Sequence, residues 1–197
     1  REISLRLAAE KATVVIGSRY PRTGSPDPEQ AKKAKEEMAQ ADAALGRMRR
    51  GGGRALWVNA DVSRPESVHA LLLEAKNRFG RVDALVNNAG AGGNFSRVGD
   101  VMRDHRENFS AVLGANFVGA WEAMTVAREI MRSQPGGGAI VNVSTHYVFN
   151  ATASPEIYTV SKILLKALTK ASRGELAREG ISVADVAPTL IAGPRME

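Results

Sequence analysis

The sequence predicts an α/β protein with a doubly wound parallel sheet that helices cover on both faces. Short runs of apolar and β-branched residues alternate with longer amphipathic stretches, which is the pattern of right-handed strand–helix–strand units. The short runs are apolar at most positions, as expected for strands that are buried on both faces. Polar or Gly-rich residues follow these runs at their carboxyl ends, where ligands bind in such sheets.

The apolar runs define the predicted strands. In chain order they cover residues 12–17, 55–59, 82–86, 139–143 and 181–187. The polar segments that follow them are Ser18-Arg19, Asp61, Asn87–Gly90, Ser144-Thr145 and Pro188-Thr189. Because the carboxyl ends of parallel strands meet at one edge of a sheet, this edge is the predicted binding site.

Capping residues and periodicity define the helices between the strands. Asp27 is a predicted N-cap for a helix that runs to Arg50 and ends at a triple glycine. Ser63 and Glu66 form a predicted capping box for the next helix, which Gly80 closes. The other predicted helices cover residues 1–10, 104–133 and 158–180.

The composition favours a single domain over residues 1–197 with a substantial core, since 44% of the residues are hydrophobic. The net charge is +6, but Lys and Arg are scattered and only 5% of residues are aromatic, so nucleic-acid binding is not expected. A dense basic group is interpreted as a solvated helix end; it comprises Arg47, Arg49, Arg50 and Arg54. The chain has no cysteine and no histidine spacing of a metal site.

No apolar run reaches membrane-spanning length and no signal peptide is visible, so a cytoplasmic protein without membrane contact is expected. Arg1 already lies within a helical pattern, and residues 193–197 read as a loop. We therefore expect the first strand of the sheet and its C-terminal elements to be missing from this chain.

Tyr158 and Lys162 lie four residues apart in a helical pattern and therefore share one face of the helix. A nearby ammonium favours the phenolate, and lowering a phenol pKa from about 10 towards 7 requires roughly 4 kcal/mol. Such a phenol would act as a general acid or base near neutral pH. On the five residues from 158 to 162 alone, an ordinary helix that packs its Tyr and exposes its Lys is the favoured interpretation.

Several segments in order resemble the short-chain dehydrogenase/reductase family, classical type. They are Asp61-Val62, Asn87-Asn88-Ala89-Gly90, Asn116-Phe117-Val118-Gly119, Ile140-Val141-Asn142-Val143-Ser144-Thr145, Tyr158-x-x-x-Lys162 and Val186-Ala187-Pro188. The resemblance covers essentially the whole chain and implies a Rossmann-like fold. It also implies that the Gly-rich phosphate loop of the family would precede Arg1.

The resemblance implies a catalytic set. Tyr158 would be the general acid in carbonyl reduction and the base in alcohol oxidation, and Lys162 would lower its pKa and bind the nicotinamide ribose. Thr145 takes the place of the family's Ser, with Ser144 as the fallback, although both are also ordinary strand-end hydroxyls. Asn116 matches the residue that holds a water-linked proton path to the Lys; alternatively it is a polar residue tolerated where a long helix bends.

The resemblance also implies cofactor contacts. Asp61 and Val62 would contact the adenine, and the remaining contacts would come from Asn88, Ala89, Gly90, Pro188 and Thr189. Ser18 stands where many NAD-binding members have Asp, and Arg19 follows it. A hydroxyl and a guanidinium suit a 2′-phosphate, so we predict NADP(H), with NAD(H) as the alternative.

The predicted function is NADP(H)-dependent hydride transfer between nicotinamide and a small carbonyl or alcohol substrate. Residues 91–98 and 146–155 would form the pocket walls, and the tail Pro188-x-x-x-x-Gly193-x-Arg195, similar to that of malonyl-CoA reductase modules, leaves an acyl-thioester or aldehyde substrate open. The Thr145 and Thr189 departures leave open a non-catalytic nucleotide-binding relative or inactive fragment. Dehydratase or epimerase chemistry is disfavoured by the Asn87–Gly90 motif.

The resemblance implies a homodimer or homotetramer that forms through helices 104–133 and 158–178. Trp121, Met124 and Ile130 are candidates for that surface, with packing in the chain's own core as the alternative.

Overall fold

The computed structural model describes residues 2–19, 27–92, 106–150 and 157–189. These form two compact units, residues 1–61 and residues 62–197, which are described one after the other. The predicted start of the helix at 104, the predicted wall residues 93–98 and 151–155, and the tail with Gly193 and Arg195 lie outside the described residues.

The first unit is a parallel strand pair with two helices. It comprises α1 (Glu2–Ala9), β1 (Val14–Ser18), α2 (Pro28–Arg50) and β2 (Ala55–Asn59). β1 and β2 pair in parallel from Val14↔Ala55 to Ser18↔Asn59. Its core contains Ala8, Val14, Ala44 and Met48. The predicted N-cap of α2 is confirmed, since the Asp27 carboxylate accepts the Glu29 backbone N–H at 2.9 Å.

The second unit is a three-stranded parallel sheet with its helices. It comprises α3 (Pro65–Phe79), β3 (Ala84–Asn87), α4 (Arg106–Leu113), a π-helical segment (Gly114–Val118), α5 (Gly119–Arg132), β4 (Gly138–Val143), a 3-10 turn (His146–Phe149), α6 (Ile157–Arg178) and β5 (Ile181–Val186). The sheet order is β3-β4-β5. Arg128 of α5 ties the C-terminal end of α6 through ion pairs with Glu175 and Glu179.

These pairings confirm the predicted α/β class with parallel strands. Each unit has parallel neighbours within its own sheet, β1 with β2 in the first unit and β3, β4 and β5 in the second.

Three local predictions differ from the structure. The N-cap of α3 is Arg64, one residue after the predicted Ser63, and Glu66 accepts a hydrogen bond from Arg64 Nε at 2.8 Å. The helix predicted over 104–133 contains the π-helical segment at Gly114–Val118, and the irregular loop after Thr145 contains a 3-10 turn.

A buried polar chain ties the middle of the second sheet to α6. Asn87 of β3 donates to the Asn142 side-chain oxygen of β4 at 2.8 Å, and the Asn142 amide donates to the Thr169 hydroxyl at 2.8 Å. Thr169 in turn donates to the Leu165 carbonyl. Each of these polar groups has a hydrogen-bond partner, so this series of hydrogen bonds fixes the position of α6 along the sheet. In the described ranges, no helix is long and apolar enough to cross a membrane.

Candidate active site

The carboxyl ends of β4 and β5 are joined beyond their last paired residues. The Ser144 backbone N–H donates to the Val186 carbonyl at 2.8 Å, and the His146 N–H donates to the Pro188 carbonyl at 2.9 Å. Thr145 lies between these two bonds in an extended backbone conformation, with φ −153° and ψ 153°. The strand ends therefore hold Thr145 in a fixed position beside the start of the segment that contains Pro188.

Lys162 is a buried cation at this end of β4. Its side chain is only 3% exposed, and its Nζ donates a hydrogen bond to the Val143 carbonyl at 2.8 Å. The same Nζ lies 5.8 Å from the centroid of the Tyr158 ring, within the range of a cation–π contact. The predicted pair is thus brought together one helical turn apart on α6, with the ammonium anchored on the strand and Tyr158 half-buried above it.

The direction of the Tyr158 pKa is opposite to the sequence prediction. Burial raises the pKa of the Tyr158 phenol above its ordinary value of 10.0. Burial also lowers the pKa of Lys162 to about 8, against the opposing effect of Asp185. Both shifts have one cause, since a desolvated site disfavours phenolate and ammonium alike. Because its pKa is raised, Tyr158 is a neutral phenol at neutral pH. The Lys162 ammonium meanwhile hydrogen-bonds the Val143 carbonyl.

Asn116 lies in the π-helical segment and is almost fully buried. Its side-chain oxygen accepts the Ala91 N–H at 2.7 Å, and its amide donates to the Ala91 carbonyl at 2.9 Å. The amide also donates to the Ser161 hydroxyl at 2.9 Å, and Ser161 donates to the Tyr158 carbonyl. Asn116 therefore connects the loop after β3 to the first turn of α6.

Gly90 permits this arrangement by its lack of a side chain. A Cβ at this position would lie 2.8 Å from the Asn116 side-chain oxygen and 3.6 Å from Lys162 Nζ. The residue thus allows the strand-end turn to approach Asn116. Asn88, Ala89 and Gly90 are exposed, so their backbone is accessible at the strand end where the sequence predicts a cofactor.

The two candidate hydroxyls have different surroundings. Ser144 is buried, and its hydroxyl donates to an Asp185 carboxylate oxygen at 3.0 Å and lies 3.4 Å from the Val186 carbonyl. Among the described residues no group hydrogen-bonds the Thr145 hydroxyl. The Ser144 hydroxyl is therefore occupied by an internal hydrogen bond, whereas the Thr145 hydroxyl has no hydrogen-bond partner in the part of the chain that the structure describes.

The predicted residues of the first unit lie at the carboxyl ends of its strands. The Trp57 indole N–H donates to the Ser18 hydroxyl oxygen at 2.7 Å, so Ser18 keeps its own proton for donation. Arg19 is exposed directly after β1, and Asp61 is half-buried after β2. A hydroxyl donor beside an exposed guanidinium fits a phosphate chemically. Val62, at the start of the second unit, is half-buried, while Pro188 is half-buried and Thr189 is exposed after β5.

Sequence reasoning missed three residues that position the site. Ser161 bridges Asn116 and Tyr158, Asp185 holds Ser144, and Trp57 orients Ser18. A weak signal existed for two of them. Ser161 sits between the Tyr and the Lys on one helix turn, and Asp185 is a charged residue inside an otherwise apolar strand.

Comparisons with known proteins agree on one family. The sequence profile described as short chain dehydrogenase matches residues 1–197. The chain is 31% identical over 192 residues to the short chain dehydrogenase/reductase astE of Aspergillus oryzae, covering 98% of this chain and 66% of that protein. It is 30% identical over 188 residues to a 3beta-hydroxysteroid dehydrogenase of Mediterraneibacter gnavus, covering 95% of this chain and 60% of that protein.

Among solved structures, an NAD+-bound xylitol dehydrogenase superposes with a TM-score of 0.79 at 26% identity, over 98% of this chain and 66% of that chain. The present chain thus spans 60% to 66% of the length of these relatives.

The buried Lys162 generates a pH-dependent stability. Its pKa falls from 10.5 to about 8 on folding. Between these values the unfolded chain holds a proton that the folded protein has released, so the free energy of unfolding rises with pH. We expect a gain of about 2 kcal/mol between about pH 7 and about pH 9.5. Urea denaturation of the wild type and of Lys162→Met measures it.

Met fills a similar volume and does not titrate, so the Lys162→Met protein should lack this gain, and its difference in stability from the wild type should change with pH. The series stops below the pKa of Tyr158, which is raised above 10.0, because stability from that group is lost as the pH rises through it. Parallel curves for the two proteins would contradict the lowered pKa of Lys162.

Proposed function

Because this chain belongs to the short-chain dehydrogenase family, we propose that the intact protein interconverts a carbonyl and an alcohol by hydride transfer. The observation that carries the proposal is the anchored pair in α6, in which Lys162 is bound to the Val143 carbonyl and lies beside the Tyr158 ring. A nicotinamide cofactor, when bound, supplies or accepts the hydride. The protein's own residues position the substrate and move the proton.

Tyr158 is the proposed general acid for carbonyl reduction. Burial keeps its phenol protonated at neutral pH, which is the form that donates to a developing alkoxide. In alcohol oxidation the same group must accept a proton as phenolate. The Lys162 ammonium, held close to the ring, stabilises that anion when the phenol oxygen loses its proton.

Asn116 and Lys162 are proposed to maintain the site rather than to bind substrate. The Asn116 side chain holds the turn after β3 and, through Ser161, the backbone of Tyr158. Lys162, with Tyr158, is the proposed contact of the nicotinamide ribose, and its remaining N–H groups suit ribose hydroxyls. Asn116 is the proposed holder of the water-linked proton path to Lys162.

Thr145 is the proposed donor to the substrate oxygen. The commitment of Ser144 to Asp185 supports this choice, since a hydroxyl that already donates its proton cannot also donate it to a substrate. Thr145 carries an additional methyl group compared with Ser, which narrows the space beside the reacting carbon.

NADP(H) is the proposed cofactor. The Ser18 hydroxyl and the Arg19 guanidinium of the first unit are the proposed groups for a 2′-phosphate. Asp61, and Val62 at the start of the second unit, are proposed to contact the adenine. In the second unit Asn88, Ala89, Gly90, Pro188 and Thr189 are the proposed neighbours of the rest of the cofactor. The xylitol dehydrogenase neighbour binds NAD+, so this choice depends on Ser18 and Arg19. We propose that residues 1–197 belong to one dinucleotide-binding domain.

The proposed assembly is a homodimer or homotetramer through α4, α5 and α6. Trp121 supports this surface, since 53% of its side chain is exposed and its ring lies 6.0 Å from that of Phe117. Met124 and Ile130 are buried in the chain's own core, which is the alternative that the sequence left open for them. Both belong to the buried side of the amphipathic helix α5.

The role of Tyr158 is tested by Tyr158→Phe in the intact protein. We expect kcat for a carbonyl substrate panel to fall about 100- to 10,000-fold, because the proton donor is lost. Cofactor affinity, measured by quenching of protein fluorescence, is the control and should fall by no more than about tenfold, since only the hydrogen bond of the phenol oxygen is lost and Phe keeps the ring contact with Lys162. Unchanged kcat would reject the acid role, and a wild type that binds cofactor but reduces nothing would indicate a non-catalytic relative.

Cofactor choice is tested by Arg19→Ala. Loss of a charge-assisted hydrogen bond to phosphate costs about 1.5–3 kcal/mol, so the Kd for NADPH should rise roughly 10- to 150-fold. The Kd for NADH serves as the matched control, because NADH lacks the 2′-phosphate, and it should not change. Comparable affinities of the wild type for both cofactors would overturn the NADP(H) proposal.

The oligomer surface is tested by Trp121→Asp in sedimentation velocity. A buried charge without a partner is strongly unfavourable, so the variant should sediment as a smaller species than the wild type. Leu73→Asp is the matched control on α3, because Leu73 is also exposed and lies outside the proposed surface. If Trp121→Asp and wild type sediment alike, this surface is not the interface.

A further inference from the structure

Asp185 is a charged residue in the interior of the second unit. It belongs to β5, whose other residues are uncharged, and pairs in register with Asn142 of β4. Its side chain is only 9% exposed. A carboxylate in such a position requires compensating partners, because desolvation of an unpaired charge is costly.

The two carboxylate oxygens of Asp185 have different partners. One oxygen accepts the Ser144 hydroxyl at 3.0 Å and lies 3.6 Å from Lys166 Nζ. The other oxygen is buried and has no hydrogen-bond partner among the described residues. Both oxygens share the charge of the carboxylate, so beyond its contact with Lys166 the charge also acts at longer range through a poorly solvated interior.

The last residue of β4 and the residue that follows it connect Asp185 with Lys162. The Val143 carbonyl accepts the Lys162 ammonium, and the next residue, Ser144, donates its hydroxyl to Asp185. α6, which carries Lys162, packs directly on β5, which carries Asp185. The charge of Asp185 favours protonated Lys162 against the effect of burial.

The elements that pack around α6, and α6 itself, carry further charged or titratable residues. β4 and the π-helical segment carry none. The 3-10 turn carries His146 and Tyr147, and α6 itself carries Tyr158, Lys166, Lys170, Arg173, Glu175 and Arg178. α5 carries Glu122, Arg128, Glu129 and Arg132, with Arg128 paired to Glu175 and Glu179 at the far end. α4 carries Arg106 and Glu107, whose side chains are outside the described set.

We propose that Asp185 is a positioning residue for the proposed reaction, whose carboxylate keeps the buried Lys162 charged and fixes the strand end that presents Thr145. The assignment rests on the proposed function for its catalytic meaning. Two effects contribute. The hydrogen bond removes Ser144 from competition with Thr145, and the negative charge offsets the desolvation of the ammonium.

A simpler role, as the partner of Lys166, accounts for less of the geometry. Lys166 lies 3.6 Å from the carboxylate, is 36% exposed, and also places its ammonium 3.8 Å from the centroid of the Phe149 ring. A partly exposed pair of this kind contributes little to stability. It explains neither the hydrogen bond to Ser144 nor the burial of the second oxygen.

The test is an NMR titration of the lysine side chains in the full chain, with Lys162 assigned through Lys162→Arg. Asp185→Asn keeps an acceptor for the Ser144 hydroxyl and removes the charge. We expect it to lower the titration midpoint of Lys162 by about one pH unit. Lys166→Met removes the neighbouring cation and should not lower the midpoint. Ser144→Ala removes only the hydrogen bond and should leave it unchanged.

An unchanged midpoint in a folded Asp185→Asn protein would overturn the proposal, as would an equal decrease in Lys166→Met. If Asp185→Asn does not fold, Asp185→Ala carries the same test, since Ala removes the charge without adding volume. Failure of both variants to fold would assign Asp185 a structural role and would also overturn the proposal.

Activity in the intact protein separates this proposal from the proposed function. When the reaction requires charged Lys162, the loss of kcat/KM at high pH should move to lower pH in Asp185→Asn by the same interval as the NMR midpoint. A moved midpoint with an inactive wild type would reject the proposed function and keep the link between the two residues. An active wild type whose profile does not move in Asp185→Asn would reject the role of Asp185 alone.

Discussion

The buried hydrogen bond between the Lys162 ammonium and the Val143 carbonyl is the constraint on which the candidate site depends. A cation in the interior is stable only when several groups compensate for its lost hydration. Here they are a strand-end carbonyl, the face of the Tyr158 ring and the carboxylate of Asp185. Each of these groups comes from a different position in the fold, so the lysine defines how α6, β4 and β5 are placed at this end of the sheet.

Close backbone approach supplies the second requirement. Gly90 lets the turn after β3 lie against Asn116, and a Cβ at Gly119 would lie 2.1 Å from the Val62 carbonyl oxygen. Between them the π-helical segment inserts one extra residue per turn, and such insertions are frequent at functional sites. The long helix is thereby divided at the position where Asn116 must reach both Ala91 and Ser161.

Elements with a strong local signal could be predicted from the sequence. Strand β2 has its predicted bounds, α2 begins after Asp27, and Gly80 closes α3 with φ +82°. Predictions that required knowledge of neighbours did worse. The N-cap of α3 is Arg64 rather than Ser63, and the phenol of Tyr158 has a raised pKa because burial outweighs the nearby cation. Met124 and Ile130 were indistinguishable from surface residues until the packing of α5 was known.

The sequence by itself determined the family, the order of strands and helices, and the residue types present at each strand end, because periodicity and motif spacing are properties of the chain alone. Only the tertiary structure decided which groups compensate for one another. It committed Ser144 to Asp185, left the Thr145 hydroxyl without a hydrogen-bond partner among the described residues, and directed the Lys162 ammonium to a strand carbonyl. Those outcomes depend on desolvation and on distances between elements far apart in the chain. For that reason the Tyr158 and Lys162 pair is recognisable from sequence, whereas its electrostatics are not.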